Sequence, residues 1–176
     1  MDELTEELVT EVEKLAMAGV DFAAFASNTP HIVFKAVQER SRVPLLSIVE
    51  ATCARVKELG LTRVGLFGTR FTMQGTFYPE VFSREGITLI VPDEEDRAFI
   101  HEKYMSELLK NVFLPETRDS MISIANNLKE QHAIEALILG GTELPLLLRD
   151  APSAGMPLLD TTRIHVDRLV SEMLSV

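Results

Sequence analysis

The chain has 176 residues, of which 17 are basic and 27 acidic, giving a net charge of −10 with a single cysteine. That length allows one compact unit or two small lobes to bury a sizeable core without disulfides or metal. The acids are spread along the chain and no basic stripe with interleaved aromatics is present, which argues against a nucleic-acid partner. No apolar run has the length of a bilayer span, and the acidic start Met1-Asp2-Glu3 is unlike a signal peptide, so the expectation is a cytoplasmic protein with no membrane partner.

Taken in chain order, residues 3–18 show Leu4, Leu8, Val12 and Leu15 on one helical face, stopped by Gly19. An apolar strand over 20–26 has no polar residue after Asp21, the pattern of a parallel strand covered on both faces. It ends in Ser27-Asn28-Thr29-Pro30-His31, with Pro30 suited to the first turn of a helix over 31–39. After Pro44 the spacing predicts a helix over 45–59, closed by Gly60. A second buried-type strand over 62–67 ends in Gly68-Thr69-Arg70-Phe71-Thr72.

A strand over 86–91 leads into Asp93, Glu94, Glu95 and Asp96, acids that suit the positive end of a helix over 94–110 better than they suit a cation site. Pro115 opens a helix to about 131, and a strand over 134–139 runs into Gly140-Gly141-Thr142-Glu143. A short strand over 156–159 follows, with Asp160 capping a last helix over 162–174. Alternating strands and helices mean an α/β fold with parallel sheets and flanking helices.

Three strand ends carry short polar groups: Asn28 and Thr29, Thr69 and Thr72, and Thr142 beside the Gly140–Gly141 backbone. Such donors hold carboxylates, and they also serve as ordinary helix caps; three of them converging on one cleft favours binding. Glu143 reads as a first-turn acid rather than a general base. Cys53 shares a face with Leu45, Ile48, Val49, Thr52 and Val56, so its thiol is expected to be packed. The histidines at 31, 101, 132 and 165 have no metal-ligand spacing, and no metal is expected. His31 could activate the Ser27 hydroxyl or simply pack at the helix start; the second reading is favoured.

The segments SNTPH (27–31), PLLSIVEAT (44–52), VGLFGTRFTM (64–73), FYPEVF (77–82), VPDEEDR (91–97), ILGGTELPLLL (138–148) and LLDTTRIH (158–165) together resemble the aspartate/glutamate racemase family. The resemblance implies two flavodoxin-like lobes with the active site between them. Residues 1–60 would be the later part of the first lobe, 61–157 the second, and 158–176 a closing strand and helix returning to the first. The family's opening strand, its glycine-rich turn and an arginine-bearing segment have no counterpart before Met1, so the first lobe is expected to be incomplete, as in a fragment, a natural short form or half of something that pairs.

The resemblance also implies a cofactor-independent isomerase acting on a small dicarboxylic amino acid, aspartate or glutamate, in a homo-oligomer, commonly a dimer. Racemases of this type take and return the α-proton with two cysteines; Ser27 and Gly141 stand at those two catalytic positions here, and Leu114 stands where the family has a substrate-holding lysine. A serine hydroxyl is too weak an acid to replace a thiol without an adjacent base, and glycine offers only its backbone. The alternative from another class is a non-catalytic small-carboxylate-binding or assembly protein, or an inactive racemase-like fragment.

Overall fold

The computed structural model describes residues 2–148 and 155–175; residues 149–154, inside the expected second lobe, lie outside the described residues. The first helix, α1 (Asp2–Met17), ends at Gly19 with φ +79°, a left-handed conformation that glycine adopts at no steric cost. Glu6 and Glu13 on α1 pair with Arg40 and Arg42, which ties the helix to the segment just before Pro44. The expected strand over 20–26 is real only as β1 (Ala23–Ala24), which pairs in parallel with β2 (Leu45–Leu46).

That pairing corrects the expected helix over 45–59. Pro44 and the two leucines are extended, and the helix α3 (Ile48–Glu58) starts one turn later because Ser47 caps it, its hydroxyl accepting from the N–H groups of Val49 and Glu50. Leu45 therefore belongs to a strand rather than to the helical face that carries Cys53. The expected helix over 31–39 is also divided, into a 3₁₀ segment (Thr29–Val33) and α2 (Phe34–Gln38), with Pro30 in the first turn of the former.

The larger sheet has four parallel strands in the order β4 (Thr88–Ile90), β3 (Arg63–Gly68), β5 (Ala136–Gly140), β6 (Leu158–Asp160). Two short helices that the sequence pattern did not announce, α4 (Arg70–Gln74) and α5 (Phe77–Arg84), lie between β3 and β4; Gly75 and Pro79 interrupt the apolar period there. After β4 come α6 (Glu94–Ser106), capped by Asp93, then a 3₁₀ turn (Leu108–Lys110) where one continuous helix to 110 was expected, and α7 (Pro115–His132). α8 (Leu144–Leu148) follows β5, and α9 (Thr161–Met173) follows β6 with Asp160 as its cap, as expected.

Successive side chains of a strand point to opposite faces, and both faces of this sheet are covered. Val64, Leu66, Ala136 and Ile138 meet α3 and α5 on one side, whereas Phe67, Leu137 and Leu139 meet α6, α7 and α8 on the other. A third, smaller core joins Val12 of α1, Phe34 and Val37 of α2, and Ala23 and Leu45 of the short sheet. β6 is hydrogen-bonded to β5, so residues 158–160 are part of the four-stranded sheet, while α9 packs against α3. The chain leaves β3 for β4 on one side and returns to β5 on the other, which makes the carboxyl ends of β3 and β5 the switch point of the sheet, the usual place for a ligand in such folds.

Candidate functional site

Gly68 and Gly140 end β3 and β5 side by side, and both must be small. A Cβ on Gly68 would lie 2.8 Å from the Gly140 carbonyl oxygen and 2.9 Å from the Thr72 side chain, and one on Gly140 would lie 2.8 Å from the Phe67 carbonyl oxygen. Thr72 therefore sits wedged against both strand ends. Its N–H donates to the Thr69 hydroxyl, which caps α4.

The strand end at 27–31 reaches the same place. The Thr29 hydroxyl lies 3.1 Å from that of Thr69 and 3.4 Å from that of Thr72, and the last two are 3.3 Å apart. Three of the residues singled out from the sequence thus form one hydroxyl triangle that bridges the short sheet and the long one. Thr72 is fully buried, so only the half-buried Thr29 and Thr69 can turn a hydroxyl toward a ligand.

Asn28 is in a different position. It is 1% exposed, and its amide is held at both ends: Oδ1 accepts from the Tyr78 hydroxyl at 2.6 Å, and Nδ2 donates to the Thr161 hydroxyl at 3.0 Å, which in turn donates to the Leu139 carbonyl at 2.8 Å. This buried chain locks the end of β1 to the end of β5. Neither Tyr78 nor Thr161 was picked out from the sequence, although a buried Tyr hydroxyl usually finds a hydrogen-bond partner.

His31 does not reach the Ser27 hydroxyl. With its Nδ1 proton donated to the Ser27 backbone carbonyl at 3.0 Å, its Nε2 accepts from the Ile48 N–H at 3.2 Å, a second cap on α3, and its ring stacks on Phe34. Burial pushes its pKa down to about 4, so the imidazole is neutral. His165 is likewise buried and depressed, and bonds the Leu46 carbonyl through Nε2 at 3.1 Å. His165 thus braces β2, and His31 braces the start of α3.

Beyond the end of β5 come Gly141 and Thr142, and Glu143 precedes α8, its carbonyl accepting from Leu146 and Leu147. The Glu143 carboxylate takes a hydrogen bond from the Tyr104 hydroxyl, which Thr142 and the Glu143 N–H also face. Burial first, and then Glu143, raise the Tyr104 pKa well above its ordinary value, so this phenol stays protonated. Tyr104 was read only as part of a helix; nothing in one-dimensional spacing links it to a residue thirty-nine positions later. Leu114 stands just before α7, as its N-cap. Cys53 is buried at 3% exposure with its thiol pKa raised by burial.

Among the described residues, no three His, Cys, Asp or Glu side chains cluster as metal ligands, and no helix is long and apolar enough to cross a membrane. Two relatives share this arrangement of elements over nearly the whole chain. An aspartate racemase homologue from Pyrococcus horikoshii OT3 superposes with a TM-score of 0.85 at 30% identity, over 96% of this chain and 73% of that one. The glutamate racemase from Francisella tularensis, solved with D-glutamate, has the same fold with a TM-score of 0.72 at 20% identity, over 99% and 65%. In sequence, the broad specificity amino-acid racemase RacX of Bacillus subtilis is 28% identical over 177 residues, covering 99% of this chain and 74% of that protein. The pattern of the Asp/Glu/Hydantoin racemases matches residues 2–169, and the chain belongs to that family.

Proposed function

We propose that the cleft between the ends of β1, β3 and β5 binds a small dicarboxylic amino acid, aspartate or glutamate, as a cofactor-independent relative of the amino-acid racemases. The observation that carries this reading is the hydroxyl triangle of Thr29, Thr69 and Thr72. Three hydroxyls satisfied mainly by one another can reorient to donate to a carboxylate at little cost, and two of them are within reach of solvent. Asn28 and Thr72 act as supports that fix the positions of Thr29 and Thr69, and Thr142 lines the opposite wall. Similarity to a broad specificity amino-acid racemase and to an aspartate racemase homologue supports the choice of ligand class.

A second reading, carboxylate binding without catalysis, is favoured by the positions of Ser27 and Gly141. No thiol stands at either, and His31 is engaged with the Ser27 carbonyl instead of its hydroxyl. The reading further proposes a cytoplasmic homo-oligomer divided at about residues 60 and 157, which light scattering and limited proteolysis check. Titration of the protein with L- and D-aspartate and with both glutamates, followed by calorimetry, tests the binding. Saturable binding is expected, weakened about tenfold or more by Thr29→Val combined with Thr69→Val, each lost hydrogen bond to a charged group being worth about 1.5–3 kcal/mol. No binding at millimolar ligand, or an affinity indifferent to both changes, would overturn it.

A further inference from the structure

A Cβ built on Gly141 would lie 2.3 Å from the Tyr104 hydroxyl oxygen and 2.7 and 2.8 Å from two of its ring carbons. The phenol cannot step aside freely. It is 3% exposed, packs in the same core as Ile100, Leu108 and Leu144, and is held at its tip by Glu143. Gly141 is thus glycine for lack of space, since its φ is not among the positive values that favour that residue.

We propose that Tyr104 is a steric determinant of this cleft: its ring occupies the volume through which a side chain at 141 would reach a bound amino acid, leaving the Ser27 side as the one open face of the α-carbon. For the chemistry, this rests on the amino-acid reading above; the spatial exclusion itself does not need a ligand. Restoring a thiol at 141 therefore requires trimming Tyr104 first. Proton exchange at the α-carbon, where it occurs at all, has to enter and leave on one side, which replaces hydrogen by deuterium without inverting the centre.

The test is a cycle of Gly141→Cys and Tyr104→Leu in a Cys53→Ser background, read by thermal unfolding and by iodoacetamide labelling. Gly141→Cys alone is expected to lower Tm by about 4 °C or more, the usual consequence of overpacking at this chain length. In the Tyr104→Leu background the same change is expected to cost no further stability, and its thiol to label about tenfold faster than in the Tyr104 background. Tyr104→Phe, which removes the closest contact but keeps the two ring carbons at 2.7 and 2.8 Å, should leave Gly141→Cys destabilising though less so than beside Tyr104, and this intermediate response serves as the check should Tyr104→Leu fail to fold. Gly141→Cys with an unchanged Tm and a freely reactive thiol beside native Tyr104 would overturn the proposal. Because none of these readings involves an amino-acid ligand, their failure is distinct from a failure of binding.

Discussion

The Tyr78 hydroxyl donates to the Asn28 side-chain carbonyl at 2.6 Å, fifty positions away in the chain and with both residues almost wholly buried. This one bond joins α5 to the turn that carries Ser27 and Thr29. Removing the phenol oxygen leaves a buried amide oxygen without its donor, which costs about 1–3 kcal/mol. Tyr78→Phe should lower the urea midpoint accordingly, with an unchanged denaturant slope. A midpoint equal to that of the native chain would mean that the bond contributes nothing.

The pH dependence of stability follows from His31. Its pKa is about 4 when folded, against about 6.5 for a free imidazole, so the native state favours the neutral ring. The contribution, about 3 kcal/mol, is complete above pH 6.5 and is lost as the pH falls toward 4, because the unfolded chain binds the proton first. His165 acts in the same direction. Denaturation at pH 7 and at pH 5 should show the loss, and His31→Gln should flatten it; an equally steep profile in that variant would assign the effect elsewhere.

Cys53 is expected to label slowly with iodoacetamide in the native state and quickly in denaturant. Burial both shields the thiol and raises its pKa, with the Glu85 carboxylate adding to the shift. Rapid native labelling accompanied by loss of amino-acid binding would contradict the packed position on α3.

The native chain should exchange the α-proton of aspartate or glutamate for solvent deuterium at no detectable rate overnight, as followed by proton NMR. Among the described residues no base is hydrogen-bonded to the Ser27 hydroxyl, His31 being engaged with the Ser27 carbonyl, and Gly141 has no side chain. Brisk exchange that survives Ser27→Ala would require a base on neither of these residues.

The strand ends were legible in the sequence because each is an apolar run broken by small polar residues, a local pattern that survives without knowledge of the fold. The same locality misled at 45–46, where two leucines fit a helical stripe as well as a strand and the cap Ser47 was the deciding residue. It could not supply Tyr78, Thr161 or Tyr104, whose roles come from partners 50, 133 and 39 positions distant. Thr29, Thr69 and Thr72 were visible as donors, yet their triangle depends on how the short sheet meets the long one.

The two sheets differ greatly in the hydrogen bonding they can lose. β3 and β5 are paired over five register positions from Val64–Ala136 to Gly68–Gly140, inside a sheet covered on both faces, whereas β1 and β2 share only two, Ala23–Leu45 and Ala24–Leu46. Local opening follows the weaker ladder. The wall bearing Thr69, Gly141 and Thr142 is therefore expected to open only with the whole sheet, whereas the strand pair behind Ser27 and Thr29 is expected to open more readily, restrained chiefly by the Asn28 bonds to Tyr78 and Thr161. A ligand held between them should slow amide exchange over residues 23–31 while leaving β3 and β5 unchanged. If the proposed ligand binds here, part of its binding free energy goes into ordering the softer half of the molecule.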